Sequence, residues 1–362
     1  MKGGVILFRG TGAAARRYLE SDRSRADDYY LEGGTTLAAF TVVDGSGEVL
    51  ATCDLDAEEY AGWVDWVDPL TNTSMGTPRL PGKEGTAKHG SPRFAEMAVN
   101  VPKSLSIAAA LHPDVSDALD GAQADAVTEI RRFLARHSVT RVGPRGRQEL
   151  VPVERLQTVA VVHKTSRAGD PHRHVHFQTG TRVWAAGKWR GLDTAALFKQ
   201  QGAIRALGTA VLAAHPGLAD ALDRVGLTLD PVTGEVTELE PFNATMSKRG
   251  EQVEKNLAES ETAWEENHPE LAPGPVVHAR MIAAAWAKER PQKRPATLAH
   301  EEGWRDELAR AGYDPTRFLQ RQVPEHAPRG PDDLEVQTIA SRALDRCAAA
   351  ASTWTRTPLP RR

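Results

Sequence analysis

Three histidines, His163, His174 and His176, have the residue type and spacing of a metal site. His174 and His176 are two residues apart, so on a β-strand their side chains leave the same face. His163 ends the apolar run TVAVV, which is typical of a buried strand. The intervening segment, KTSRAGDP, contains turn-forming residues and predicts a hairpin that brings the three imidazoles together. Neutral imidazoles on rigid strands, with coordination positions left open, are typical of a catalytic metal centre.

The expected cofactor is a divalent metal ion, namely Mn, Mg or Zn. Three imidazoles suit Zn, Mn, Fe, Co or Ni, and they suit Mg less well because Mg prefers oxygen ligands. On a phosphodiester substrate the ion would act as a Lewis acid at a non-bridging oxygen. His172 continues the same alternation, but it follows Pro171 in the expected turn, so we expect it to be exposed.

Three of the five tyrosines, Tyr18, Tyr29 and Tyr30, lie in the segment RRYLESDRSRADDYYLEGG. Tyr18 and Tyr29 are eleven residues apart, close to three helical turns, so one continuous helix would place them on a shared face. A tyrosine hydroxyl can form a covalent intermediate with phosphate, and that link would retain the energy needed to rejoin a strand. The competing interpretation is that these aromatic side chains only pack a helix. The presence of the three histidines in the same chain favours the nucleophile.

A third candidate segment is FAEMAVNVPKSLS. Glu96 lies in a strand with apolar neighbours on both sides, and a buried carboxylate needs a partner. Orienting a metal-bound imidazole is one such role. Lys103 and Ser104 begin a helix after Pro102, which is a natural place to bind phosphate. An ordinary helix start with a solvated lysine explains the same spacing equally well.

The charge of the chain is unevenly distributed. The formal net charge is −3, yet residues 131–190 contain 13 Lys/Arg and 3 Asp/Glu. A local basic field beside a metal site favours a polyanionic substrate, most simply a nucleic acid. The alternative is a solvated basic surface without a ligand. The candidate DNA contacts in this region are Arg145, Arg147, Arg167, Lys188 and Arg190.

The elements that must position these residues are strands and helices in mixed order. Hydrophobic patterning and turn signals predict strands at 4–8, 94–101, 149–163 and 174–184, and a hairpin at 36–54 around the turn DGSG. They predict helices at 12–31, 57–67 and 115–137, and one after Asp193 or Thr194 as N-cap. From about residue 246 the chain is helical and charged, so we place a domain edge near 240–250.

Several classes of protein are disfavoured. No apolar run of about 18 residues occurs, so no membrane insertion is expected, and no signal peptide is obvious. Two widely separated cysteines, Cys53 and Cys347, suit a reducing cytoplasm. The pattern GxxxxGK[ST] does not occur, so we expect no ATP-driven motor and no helicase domain in this chain.

In this order, the segments resemble the MobF family of conjugative relaxases (TraI/TrwC-like), which are HUH endonucleases. HKTSRAGDPHRHVH resembles the family's metal motif, with His163, His174 and His176 as its ligands. RRYLE and ADDYYLEGG resemble its tyrosine motif, and FAEMAVNVPKSLS resembles a further motif in which Lys103 and Ser104 match. The resemblance covers roughly residues 1–290. Family members usually have Asp where Glu96 stands, and a longer acid would here orient His163.

The resemblance implies an α+β fold, with a central antiparallel β-sheet of about five strands flanked by helices. It implies a relaxase core over 1–245 and a helical part over 246–362 that closes over DNA. Its function would be site- and strand-specific nicking of single-stranded DNA at an origin of transfer through a 5′-phosphotyrosyl intermediate. By family position Tyr18 ranks first as nucleophile and Tyr29 second. The implied partners are hairpin and single-stranded DNA, a coupling protein and accessory relaxosome proteins.

Two other functions compete. A histidine-triad nucleotide hydrolase would use His172, His174 and His176 without a metal, but it leaves His163 and the tyrosines unexplained. A DNA-binding accessory protein without catalysis would keep the basic segment, and substitution of His163 would leave its activity intact.

Overall fold

The core of the fold is an antiparallel sheet that carries the histidines. The structure is a computed structural model, and it describes residues 5–22, 38–80, 90–166, 168–230, 233–289 and 298–316. The strands of these residues are β1 (Val5–Phe8), β2 (Ala38–Asp44), β3 (Val49–Leu55), β4 (Val67–Asp68), β5 (Thr73–Ser74), β6 (Phe94–Asn100), β7 (Val139–Val142), β8 (Glu149–Pro152), β9 (Arg155–Thr165), β10 (Pro171–Gly180), β11 (Arg182–Ala185) and β12 (Lys188–Gly191).

Within the described residues the main sheet has eight strands. Its path runs β1-β6-β10-β9-β11-β12, while β2 pairs with both β9 and β3. All of these pairs are antiparallel. The expected five-stranded antiparallel centre is therefore confirmed as β1, β6, β10, β9 and β2, and three further strands extend it. The DGSG hairpin is confirmed as the β2–β3 connection, where Asp44 accepts hydrogen bonds across the turn.

Helices cover both faces of this sheet. They are α1 (Gly12–Asp22), α2 (Ala57–Val64), α3 (Lys103–Leu111), α4 (Pro113–His137), α5 (Thr194–Lys199), α6 (Gln201–Ala214), α7 (Pro216–Arg224), α8 (Lys248–Asn267), α9 (Pro275–Ala287) and α10 (Leu298–Arg310). Asp193 caps α5 through its side chain, as expected, but the predicted single helix is divided into α5 and α6. No helix in the described part of the chain is long and apolar enough to cross a membrane.

The two faces of the sheet have different partners. The amphipathic helix α4 and α6 bury their apolar sides against one face, in a cluster that includes Phe177, Ile130 and Ile204. Helix α2 packs over the other face, where Trp63 joins a second apolar cluster. A capping box between Asp56 and Glu59 fixes the start of α2. The histidines leave this second face, beyond the end of the α2 cluster.

The helices after residue 246 contact the helices that precede it. Trp304, Leu308 and Tyr313 share an apolar cluster with residues of α3, α4 and α7, including Leu105 and Leu119. The predicted helical character of this part is seen in α8, α9 and α10. The domain boundary at 245–246 stays a prediction.

Candidate metal centre and nucleic-acid interface

The three histidines converge on one point of the sheet. His174 is the direct cross-strand partner of His163, and His176 follows two residues later on the same face. One ring nitrogen from each residue can be chosen so that all three lie within 4.8 Å of one another. His163 is 4% exposed, and the other two are half-buried. Such a group could hold one metal ion, because neutral imidazole nitrogens are common ligands of divalent transition metals.

The Nδ1 atoms of two imidazoles lie against oxygen atoms. His174 Nδ1 lies 2.9 Å from the backbone oxygen of His172, and His176 Nδ1 lies 3.0 Å from Glu96 Oε1. The carbonyl oxygen requires His174 Nδ1 to donate its hydrogen, and the carboxylate favours a hydrogen on His176 Nδ1, so Nε2 is the expected ligand atom of both rings. Burial, together with the neighbouring histidines, lowers the pKa of His174 well below its ordinary value. The ring is thus neutral, which is the form that binds a metal.

Glu96 is joined to a different histidine from the one expected. The sequence predicted a buried carboxylate that orients an imidazole, with His163 as its partner; the structure places it against His176. Gln178 Nε2 donates to its second oxygen at 3.0 Å. Burial alone would raise the pKa of Glu96, but the hydrogen bonds from His176 and Gln178 outweigh burial and lower it. The partner differs because Glu96 lies on β6, which pairs with the His176 strand β10 and not with the His163 strand β9.

His172 is not exposed, and this expectation was wrong. Strand β10 already begins at Pro171, so His172 belongs to the strand and not to the turn. Its ring stacks on that of His174, with centroids 4.6 Å apart and planes at 29°. Burial, with Lys103 nearby, lowers the pKa of His172 to about 3.

The turn between the two metal strands is held by the C-terminal helices. Lys248 Nζ, at the start of α8, lies 3.3 Å from Asp170 Oδ1. Trp304, in α10, donates its indole N–H to the backbone oxygen of Gly169 at 3.0 Å. The Asp170 carboxylate is buried, and burial raises its pKa although two lysines counteract this effect. The turn is therefore fixed by contacts more than seventy residues away in sequence.

Ser104 is buried, and its predicted role as a phosphate contact stays a prediction. It is 0% exposed, its hydroxyl donates to Glu235, and it accepts a hydrogen bond from the backbone N–H of Val236 at 2.7 Å. Lys103 is half-buried and donates to the backbone oxygen of Pro171 at 2.7 Å. Burial lowers its pKa to about 8. The helix start therefore faces the metal hairpin and the interior, and phosphate binding by Lys103 stays a prediction.

The tyrosine motif is only partly described. Tyr18 lies in α1, in a part of the helix whose side chains are not described, and Tyr29 and Tyr30 lie outside the described residues. Helix α1 is tightly docked on α2. The backbone N–H of Gly12 donates to Asp65 Oδ1 at 3.0 Å, and a Cβ at Gly12 would lie 2.0 Å from the backbone oxygen of Ala61. The position of α1 is therefore set by α2.

The predicted DNA contacts lie in two exposed turns. Arg145 and Arg147 are exposed in the turn between β7 and β8, and Lys188 is exposed at the turn between β11 and β12. Arg190 instead donates to the backbone oxygen of Ala185 at 2.8 Å, within its own hairpin. Arg167 lies outside the described residues.

These turns are remote from the histidines, so the basic segment is not one patch around the metal. Strand β11 contacts β9 at Arg155, eight residues before His163. A strand of eight residues spans about 26 Å. The β7–β8 hairpin joins the same end, since Val153 donates to the backbone oxygen of Ser138. The prediction treated nearness in the sequence as nearness in space, whereas strand β9 separates these turns from the histidines.

Sequence reasoning missed two residues that reach the centre indirectly. Gln178 lies two residues after His176, so strand periodicity was a usable signal for it. Tyr60, in α2, donates to Gln178 Oε1 at 2.9 Å. No local pattern marks Tyr60, because its partner is 118 residues away.

Several solved structures share this fold. The conjugative relaxase TrwC in complex with origin-of-transfer DNA, in a copper-bound form, superposes with a TM-score of 0.62 at 17% identity, over 87% of this chain and 100% of that chain. TrwC with a mutant origin-of-transfer DNA gives 0.59 at 20% identity, with the same coverage. TrwC with a 27-mer DNA comprising the recognition hairpin and the cleavage site gives 0.58 at 16% identity, again with that coverage. At these identities the likeness shows the fold.

Among curated proteins, none matches this chain in sequence. The family model described as TrwC relaxase matches residues 12–311, which includes helix α1, the three histidines and helix α10. This match spans most of the 362 residues, and it confirms the family resemblance of the motifs. The chain belongs to the TrwC relaxase family.

Proposed function

We propose that this chain nicks one strand of DNA at an origin of transfer and remains attached to the cut 5′ end through a tyrosine. Membership of the relaxase family makes it a metal-dependent DNA relaxase. The observation that carries the residue assignment is the group formed by His163, His174 and His176, in which Nδ1 of two imidazoles faces an oxygen atom. The solved relaxases of this fold are complexes with origin-of-transfer DNA, which supports that substrate here.

The chemistry requires a nucleophile, a charge stabiliser and a leaving group in line. The three histidines would hold a divalent ion, which supplies Lewis acidity at a non-bridging phosphate oxygen. We assign the nucleophile to Tyr18, because it lies on a helix fixed to the body of the protein. Its hydroxyl oxygen forms a bond to phosphorus, the bond from phosphorus to the 3′ oxygen breaks, and a proton ends on that oxygen. The products are a 5′-phosphotyrosyl link and a free 3′-OH.

Tyr29 and Tyr30 are the proposed source of a second nucleophile. The closing step is the reverse transesterification, in which a 3′-OH attacks a phosphotyrosine and releases the tyrosine. A second tyrosine would allow a second strand to be cut before the first link is resolved. The segment ADDYYLEGG matches the tyrosine motif of the family, and this match supports the assignment.

The basic turns suit a part of the DNA distant from the cut. Arg145, Arg147 and Lys188 are exposed in turns toward the Arg155 end of β9, and Arg155 lies about 26 Å from His163 along that strand. This distance corresponds to several base pairs of duplex, since B-DNA rises about 3.4 Å per pair. We therefore assign these side chains to the phosphates of a recognition hairpin, with the single-stranded cleavage site at the histidines.

The cellular context is also a proposal. The two cysteines and the absence of a predicted span favour the cytoplasm, where plasmid DNA is found. A coupling protein and accessory relaxosome proteins would deliver the covalent complex for transfer. Co-purification of the chain with such proteins from donor cells, in the presence and absence of origin DNA, tests these partners.

The central experiment is strand cleavage followed on a denaturing gel. The protein is incubated with labelled single-stranded oligonucleotides from candidate origins, with Mn or Mg. We expect a cut strand and a protein–DNA band that survives denaturation, and we expect both to be lost with chelator or with His163→Ala. Cleavage without a covalent band would indicate a water-using nuclease. Metal-independent binding without cleavage, unchanged in His163→Ala, would indicate the accessory protein.

A further inference from the structure

A buried line of polar contacts connects helix α2 to the metal centre. Tyr60 Oη donates to Gln178 Oε1 at 2.9 Å, and Gln178 Nε2 donates to Glu96 Oε2 at 3.0 Å. Glu96 Oε1 lies 3.0 Å from His176 Nδ1. Tyr60 and Gln178 are each 1% exposed, and Glu96 is 8% exposed. Water therefore has little access to this line, and each polar group depends on its neighbour.

The chemistry of the groups gives the line a direction. An ionised carboxylate only accepts, so the side of Gln178 that faces Glu96 must be its NH2 group. The amide oxygen then faces Tyr60, whose hydroxyl can donate to it. A reversed amide would set an oxygen against the carboxylate and leave the phenol with no acceptor in this contact. The orientation of Gln178 is consistent with both neighbours only as the structure has it.

We propose that Tyr60 and Gln178 are positioning residues of the metal centre, which hold Glu96 so that His176 keeps its hydrogen on Nδ1 and presents Nε2 to the ion. This inference rests on the proposed metal site at the three histidines. Gln178 donates a hydrogen bond to Oε2 of Glu96, and the other carboxylate oxygen, Oε1, faces the imidazole of His176. Tyr60 in turn fixes the amide. Through these contacts, helix α2 influences the orientation of His176, although His176 lies on strand β10.

A purely structural role for these hydrogen bonds makes a different prediction. If they only stabilised the core, their loss would lower stability without changing the affinity for metal. The same helix offers a matched control, because Trp63 donates its indole N–H to Gln157 at 3.1 Å, and Gln157 donates onward to Asp68. Trp63 is 2% exposed, so its hydrogen bond is equally buried. That bond leads away from the histidines.

The test compares Tyr60→Phe and Gln178→Met with Trp63→Phe in the full chain. Calorimetric titration with Mn and Zn measures metal affinity, nitrogen NMR of the histidine rings reports the tautomer of His176 without metal, and thermal unfolding reports stability. We expect Tyr60→Phe to weaken metal binding about threefold to tenfold, and Gln178→Met about tenfold to a hundredfold. Both should shift His176 toward a mixture of tautomers. Trp63→Phe should leave affinity and tautomer unchanged.

Two failures can be distinguished. If the natural chain binds neither ion, the proposed metal site is wrong and this inference falls with it. The second failure concerns the variants. If Tyr60→Phe and Gln178→Met bind Mn and Zn as tightly as the natural chain does, and the His176 tautomer is unchanged, only the positioning role is overturned. If Gln178→Met does not fold, Tyr60→Phe decides alone, since it removes a single oxygen and retains the ring.

Discussion

The contact between helices α1 and α2 predicts a large effect from the substitution Gly12→Ala. Gly12 is the first residue of α1, and its backbone N–H bonds to Asp65 at the end of α2. An added Cβ would lie 2.0 Å from the backbone oxygen of Ala61 and 2.7 Å from its carbon. These atoms belong to the backbone of a packed helix, so they cannot move aside as the end of a flexible side chain can. Helix α1 must therefore shift.

The size of the shift follows from the contact distance. Carbon and oxygen atoms that are not bonded rarely approach within about 3.0 Å, so the start of α1 must move by about 1 Å or more. Tyr18 lies six residues later on the same helix. A displacement of about 1 Å at a reacting group can reduce a rate about a hundredfold, because in-line attack needs aligned atoms. We expect Gly12→Ala to slow formation of the covalent adduct about tenfold to a hundredfold.

The assay is single-turnover adduct formation on a denaturing gel, with metal affinity and DNA affinity measured in parallel. Both affinities should be close to those of the natural chain, because the histidines and the basic turns lie on other elements. Gly121→Ala is the matched control: Gly121 lies within α4, and an added Cβ there would meet no atom within 4 Å. Adduct formation at the natural rate in Gly12→Ala would refute the assignment of the nucleophile to α1.

Three further predictions concern the nucleophile, the DNA and pH. Tyr18→Phe should abolish the adduct and leave DNA binding intact; an undiminished adduct, mapped by peptide analysis, would move the nucleophile to another tyrosine. Arg145→Gln with Arg147→Gln should weaken DNA binding, lower its salt dependence by a slope of about 1 to 2, and leave cleavage at saturating DNA unchanged; an unaltered salt slope would contradict the phosphate contacts. Burial lowers the pKa of Lys103 to about 8 from 10.5, so the folded chain loses this proton first as pH rises and gains stability relative to the unfolded chain between these values. The stability advantage of the natural chain over Lys103→Met, from urea unfolding near pH 7 and pH 9.5, should therefore increase with pH; a constant difference would mean that burial does not disfavour the charge.

The histidine hairpin was predictable because its signals are local. The two-residue spacing of His174 and His176 fixes a shared face, and the turn residues before them fix which strand pairs with it. The register that places His174 opposite His163 also depends on an irregularity in the strand pairing between Pro171 and His174, which the turn residues do not indicate. The same local logic located the Asp193 cap and the β2–β3 hairpin.

The remaining features of the site depend on contacts between distant segments. The expectation for His172 failed because the strand begins at Pro171, three residues before the predicted start at 174. Ser104 had the pattern of a phosphate-binding helix start, but the segment at Glu235, 131 residues away, covers it. The basic turns were placed near the metal because sequence distance was read as spatial distance, whereas an extended strand separates them. Contacts between segments distant in sequence decide each of these cases, and a local sequence pattern does not show such contacts.

Helix α2 contacts both halves of the proposed reaction centre through adjacent residues. The backbone of Ala61 sets how close α1 can approach, and Tyr60, one residue earlier, reaches the carboxylate that orients His176 through Gln178. Adjacent positions on a helix point about 100° apart, so one rigid element can serve two neighbours at once. The distance between a nucleophile on α1 and an ion on the sheet then depends on the position of one short helix and not on the conformations of several loops. The capping box and the buried tyrosine both hold α2 in place, and loosening of this helix would displace both proposed reactants together.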